Sequence, residues 1–330
     1  MRRLLLLALV LFILSPAAMA AETRTFFAMD TYMSISAPSA DEGLIDRCIS
    51  EVEYIESLIS VTDTSSEIYR LNYSGETDAS AHTLALLEFA LSMCEATGGA
   101  LDITMYPVVR AWGFTSGEYR IPAGSELTAL LRCVDYTGIT VDGSRIMIPE
   151  GSMVDLGSVG KGYASDVIAD MLRSGGVDSA LIDLGGNIYC IGTKENGAKW
   201  TIGLRDPMGG DYLGVVSVSD CAVVTSGCYE RYFEQDGVRY GHIFDPVTGC
   251  PADNGLISVT IIGKSGAVCD ALSTALYVMG PDAAADYLSA QDDADAILVR
   301  SDGSLMITAD LKGIFTPLGK YEHSEVEWIK

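Results

Sequence analysis

From residue 178 to residue 262 the chain reads as one strand after another, with no helical pattern between them. The segments 178–184, 187–192, 200–205, 213–219, 221–225, 230–235, 238–244 and 256–262 each carry the β-branched and aromatic content of a strand. Parallel neighbours need a long crossover, usually a helix, whereas antiparallel neighbours join through tight turns. Such a run dictates mostly antiparallel sheets. With helices before and after it, the fold class is α+β rather than a doubly wound parallel fold.

The flanking segments supply those helices. Residues 24–37 alternate as a first strand through Tyr32 and Ile35. Between Asp41 and Ser60, the residues Ile45, Ile49, Val52, Ile55 and Ile59 fall on one helical face. A polar loop over 62–67 follows, then a helix from Ser80 to Ala96 with Leu84, Leu87, Leu91 and Cys94 inward and Gly98-Gly99 as its stop. Residues 139–148 form a hairpin with Asp142-Gly143 at its tip. A helix over 161–174 ends at Gly175-Gly176, and another runs from Ala267 to Met279 between a Ser265 cap and Gly280-Pro281. A short helix near 282–290 and a hairpin over 295–308 complete the tail. No repeat and no linker divides residues 21–330, which read as a single domain.

The first twenty residues stand apart. Arg2 and Arg3 precede an apolar run from Leu4 to Leu14, then Ser15-Pro16 and the small-x-small site Ala18-Met19-Ala20. That is the pattern of a cleaved signal peptide, with a retained anchor as the alternative. No Cys follows the cleavage site to take a lipid. Export to the outer face of the membrane, the periplasm or the medium is expected. Cleavage removes two of the 21 basic residues and none of the 45 acidic ones, leaving 19 − 45 = −26. Such a surface repels phosphate backbones, so nucleic acid is not an expected partner. The eight Cys include no C-x-x-C pair and give no zinc site; Cys94, Cys190 and Cys269 sit in apolar runs as small hydrophobes.

Against that charge, a phosphate-bearing ligand needs a local cation. Asp155-Leu156-Gly157-Ser158-Val159-Gly160-Lys161-Gly162 provides one. Its glycines let backbone approach a ligand closely, it opens a helix whose free N–H groups attract anions, and Lys161 adds a positive charge. It is not a P-loop: Asp155 stands where the first Gly belongs and Gly162 where the metal-binding hydroxyl belongs. The plainer reading is a tight turn with a solvated Lys. Asp270 and Thr274, at i and i+4 of one helix, offer hard oxygen ligands suited to Mg²⁺. Alternatively, Asp270 complements the helix dipole and Thr274 bonds back to its own helix. His242, in Gly241-His242-Ile243-Phe244-Asp245-Pro246, could act as a base, bind phosphate, or merely pack at a strand end. His82 and His323 lie in polar surroundings without a motif. Thr225-Ser226-Gly227 and Leu184-Gly185-Gly186-Asn187 are strands running into small-residue turns, and Ser226 lacks a nucleophile elbow.

The order of these pieces, with Met29-Asp30-Thr31, Ser66 to Asn72, Leu101 to Val109, Trp112-Gly113-Phe114 and Asp206-Pro207 added, resembles the ApbE family of FAD:protein FMN transferases. The resemblance spans about residues 26–280 and implies an α+β fold related to the T-fold, FAD as substrate and Mg²⁺ at its pyrophosphate. By the same resemblance, flavin contacts fall on Met29, Tyr106, Pro107, Val108, Asp155, Lys161 and the backbone near Phe244. Metal ligands fall on Asp270, Thr274 and the carbonyl of Ser158. The sequence departs from the family at two places. The family's Met-Gly-Thr is Met29-Asp30-Thr31 here, and Thr62 stands where many members carry a flavin-stacking Tyr. The implied reaction attaches FMN to a Thr or Ser of an exported subunit of a membrane redox complex and releases AMP, with His242 or Asp270 taking the proton. Hydrolysis of FAD to FMN and AMP, or flavin binding without turnover, are the alternatives. The oligomeric state is not legible.

Overall fold

The computed structural model describes residues 23–292 and 294–329, so the expected leader over 1–20 lies outside the described residues. The α-helices are α1 (Glu42–Ile59), α2 (Glu67–Ser74), α3 (Ala81–Ala96), α4 (Tyr106–Ala111), α5 (Gly124–Leu130), α6 (Gly157–Ser174), α7 (Gly266–Met279) and α8 (Pro281–Ala290). The main sheet has nine strands: β1 (Thr23–Ala28), β2 (Thr31–Ser36), β3 (Ala180–Asp183), β4 (Asn187–Ile191), β5 (Cys221–Gly227), β6 (Leu256–Gly263), β7 (Ala294–Arg300), β8 (Leu305–Thr308) and β9 (Val326–Ile329). They lie side by side in chain order. Each runs antiparallel to its predecessor except β9, which pairs parallel with β8. The α+β, mostly antiparallel expectation holds.

The sheet is buried on both faces. On one face Ile35, Ile182, Val224, Val259 and Ile261 pack under the helices, joined by Ile45, Val52 and Ile55 of α1 and Ile168 of α6. Each such side chain contributes about 1.5–3 kcal/mol on full burial. On the other face Val223, Ile262, Ile297 and Val299 pack against a smaller sheet of Trp200–Arg205, Tyr212–Val218 and Phe315–Pro317. The tail is pinned to this layer at Asp206. Its carboxylate accepts from the Tyr321 hydroxyl at 2.7 Å and pairs with the Lys320 ammonium at 2.8 Å. Burial pushes the Asp206 carboxyl up, but Lys320, Tyr321 and the Met208 amide outweigh it and hold it below the usual range.

Several local expectations needed correction. The first strand is a hairpin, because Met29 and Asp30 adopt φ of 48° and 60° and reverse the chain. With no Gly at the tip, alternation alone ran through the turn. The polar stretch after Ser60 leads into a helix, with the Ser66 hydroxyl accepting from the Tyr69 amide at 2.9 Å as its cap. On α3 the inward face is centred on Leu86, Leu87, Ala90, Met93 and Cys94, while Leu84 and Leu91 are half-buried. The helix expected from 161 begins at Gly157, and the strand expected from 230 begins at Tyr232. His82 is not a loose surface residue. Its Nε2 pairs with Glu51 at 2.7 Å and its Nδ1 meets the Tyr163 hydroxyl at 2.8 Å, tying α3 to α1 and α6. The expected hairpins over 139–148 and 295–308 are present.

Candidate active site

The site forms where α6 and α7 meet the ends of β4 and β5. These two helices approach through glycine. A Cβ on Gly162 would come within 2.2 Å of the Gly266 carbonyl oxygen, and one on Gly266 within 2.1 Å of Ser165 Oγ. The third glycine of the Asp155–Gly162 loop is therefore needed for helix contact. Asp166 of α6 completes the junction, accepting from the Gly266 amide at 2.6 Å and the Ala267 amide at 3.0 Å at the start of α7. Ser265 caps α7 as expected, accepting from Val268 at 3.3 Å.

This close contact delivers Asp270 to α6. Its Oδ2 accepts from the Gly162 amide at 2.8 Å, and the residue is 4% exposed. In a regular helix the Gly162 amide would close onto the carbonyl of Ser158, four residues earlier. Asp270 thus reaches the backbone position where the Ser158 carbonyl would be engaged. Thr274 lies one turn further along α7, half-buried. Asn187, at the start of β4, is fully buried, and its side chain faces Asp270 and favours the ionised carboxylate there.

At the mouth of α6 no side chain caps the helix at Leu156. Instead Asp155 Oδ1 accepts from the Gly157 amide at 2.8 Å. Asp155 is held from behind by Asn72, whose amide exchanges two bonds with Val154, at 2.6 and 2.8 Å. The shared electrostatic feature is Lys161, whose charge acts on Asp155, Glu230, Asp270 and His242 together. Burial raises Asp155 and Asp270 above the usual carboxylate range, with Lys161 opposing in both cases. Glu230 is raised to about 7, first by the protein around it and then by Asp270, against the pull of Lys161 and Arg205. His242 is lowered to about 4 by burial, Arg231 and Lys161. Its Nδ1 lies 3.1 Å from the Arg231 carbonyl, which can only accept, so Nδ1 carries the proton and Nε2 keeps its lone pair.

Phe244 belongs to an aromatic cluster with Trp112, Phe114 and Phe233 that fixes the segment carrying His242. Tyr106, Pro107 and Val108 are buried. The Tyr106 hydroxyl donates to the Val61 carbonyl at 3.2 Å, so it anchors the loop bearing Thr62. Thr62 is exposed, with its hydroxyl 3.2 Å from Ser60 Oγ. Met29 sits at the β1–β2 tip. Next to it Thr31 lies against Gly185, where a Cβ would fall within 2.3 Å of Thr31 Cγ2. That contact seats the tip on the turn leading to Asn187. Asp155, Lys161, His242 and Asp270 are thus one electrostatic group, while Tyr106, Pro107, Val108 and Phe244 form packed surroundings. Glu230, Arg231, Arg205 and the role of Asn187 were missed from sequence. Arg205 adjoins Asp206-Pro207 and Glu230-Arg231 follow Thr225-Ser226-Gly227, but isolated charges at strand ends carry no spacing signal.

The donor set fits a hard cation. One carboxylate, one hydroxyl and a backbone carbonyl leave room for water and ligand oxygens, as Mg²⁺ prefers. No three His, Cys, Asp or Glu side chains converge among the described residues. Cationic Lys161 and a helix N-terminus therefore lie beside the carboxylate of α7, an arrangement whose chemistry suits an anionic ligand.

Comparison with known proteins agrees. Residues 29–298 match the ApbE family, and the chain belongs to that family. It is 35% identical over 268 residues to the FAD:protein FMN transferase of Vibrio cholerae serotype O1, covering 78% of this chain and 79% of that one. It is 38% identical over 246 residues to the protein of the same name from Treponema pallidum, covering 69% and 68%. The crystal structure of the ApbE protein from Thermotoga maritima superposes with a TM-score of 0.83 at 32% identity, over 89% of this chain and 99% of that one. The expectations of fold, of family and of an enzyme of the transferase class are borne out.

Proposed function

We propose that the chain is an FAD:protein FMN transferase that cuts FAD at its pyrophosphate, attaches FMN through a phosphoester to a Thr or Ser of an acceptor protein, and releases AMP. The observation that carries this reading is the joining of Lys161 and the α6 N-terminus to Asp270 through the Gly162 amide at 2.8 Å. Lys161 and the free N–H groups of α6 hold the pyrophosphate in a protein whose net charge of −24 otherwise repels it. Asp270, Thr274 and the Ser158 carbonyl would hold Mg²⁺, which supplies charge neutralisation at the phosphates when bound. In this reading His242, through an unprotonated Nε2, or Asp270 takes the proton of the attacking hydroxyl. The acceptor is an exported subunit of a membrane redox complex, in keeping with the leader read at 1–20.

A second reading, hydrolysis of FAD to FMN and AMP, is favoured by one observation: exposed Thr62 provides no ring to retain the flavin. Incubation with FAD and Mg²⁺, with and without an acceptor, separates the two. Transfer yields AMP together with protein-bound flavin fluorescence, hydrolysis yields AMP and free FMN, and neither product would refute an enzyme. Asp270→Ala should remove magnesium-dependent cleavage while the protein stays folded. Full activity with normal Mg²⁺ dependence in that variant would overturn the metal assignment.

A further inference from the structure

The tip of the β1–β2 hairpin is held from outside the sheet. Met29 and Asp30 both occupy the left-handed region, at φ 48° and 60°, which L side chains enter only at a cost. A two-residue loop leaves the first loop amide outside the hairpin ladder. Glu56 of α1 takes it: Oε1 accepts from the Met29 amide at 2.8 Å. One turn along the same helix, Ile59 lies against Gly160 of α6, where a Cβ would come within 2.8 Å of Ile59 Cδ1. The last turns of α1 therefore touch both the Met29 turn and the helix that carries Lys161. Asp30 and Glu53 are the charged groups that bear on the Glu56 carboxyl, and both are acidic. What Glu56 contributes is therefore its hydrogen bond to the Met29 amide, which a neutral acceptor can also make.

We infer that Glu56 is a positioning residue for the flavin half of the substrate, holding the strained Met29–Asp30 turn at a fixed distance from the α6 phosphate site. The inference rests on the proposed function, from which Met29 takes its flavin contact.

The test compares the affinities of the full chain for FAD and for AMP, by fluorescence quenching and calorimetry with Mg²⁺. The proteins are wild type, Glu56→Ala, Glu56→Gln and Glu56→Ala combined with Asp30→Gly. Losing one such bond should weaken FAD binding by about three- to tenfold in Glu56→Ala and leave AMP binding unaltered. Glu56→Gln keeps an acceptor and should stay within about twofold of wild type. Asp30→Gly, which relieves the left-handed strain, should restore most of the loss. Unchanged FAD affinity in Glu56→Ala, equal weakening toward FAD and AMP, or no rescue by Asp30→Gly would overturn the inference. If wild type binds FAD but transfers no FMN, the proposed function fails while the affinity comparison still decides Glu56. Wild type that binds no FAD overturns both.

Discussion

At the scale of single residues, the site is a set of ionisable groups pushed toward their neutral forms around Lys161. His242 gives this a measurable sign. Its folded value lies near 4 against an ordinary 6.5, so the unfolded chain takes up the proton first. Stability contributed by the neutral imidazole is complete above 6.5 and is lost as pH falls toward 4. If His242 is the proton acceptor, the acid limb of kcat/KM should fall near pH 4 rather than 6.5. A limb near 7 in the pH–rate profile would instead follow Glu230. Thr62 offers a second test. A stacked ring adds about 0.5–1.5 kcal/mol beyond its burial, so Thr62→Tyr should tighten FAD or FMN binding by several-fold to about tenfold. Equal or weaker binding in a quenching titration would mean that the flavin does not reach this loop. Lys161, Asp270 and His242 were legible as candidates because their residue types and motifs stand out in the chain. Glu230, Arg231 and Asn187 were not, since nothing in their spacing distinguishes them from ordinary strand-end residues.

At the scale of elements, the site depends on how closely α6 and α7 pack. Gly162→Ala forces a methyl into the Gly266 carbonyl, 2.2 Å away. Overpacking of this kind costs about 1–3 kcal/mol, or several degrees in Tm for a chain of this size. It should also part Asp270 from the Gly162 amide, so FAD cleavage should fall more than the loss of folded protein explains. Thermal unfolding beside single-turnover assays checks both, and a variant with wild-type Tm and rate would show that the helices can shift apart freely. Helix ends with capping signals, such as Ser265 and Gly280, could be read directly, because a cap is a local interaction. The β1–β2 turn could not, because its non-glycine tip is stabilised by Glu56, 27 residues away from Met29.

At the scale of the whole molecule, the small sheet and the tail pinned by Asp206 close the far face of the main sheet, and the candidate site is built on the helices α6 and α7 of the other face. The proposed export rests on the residues before Thr23. The mature protein from its native host is expected to begin near Ala21, and Met1 recovered by N-terminal sequencing from an outer fraction would show a retained anchor. The sequence by itself determined the antiparallel α+β class, since consecutive strands without crossovers admit little else, and it determined the order of motifs that defines the family. Only the tertiary structure decided that Gly162 and Gly266 serve helix contact, that Asp270 closes onto α6, and that Glu230, Arg231 and Asn187 join the site. The reason is physical. Periodicity, capping and turn chemistry act between neighbours in sequence, whereas close approach, desolvation and shared charge arise between segments that only folding brings together, as with Gly162 and Asp270, 108 residues apart.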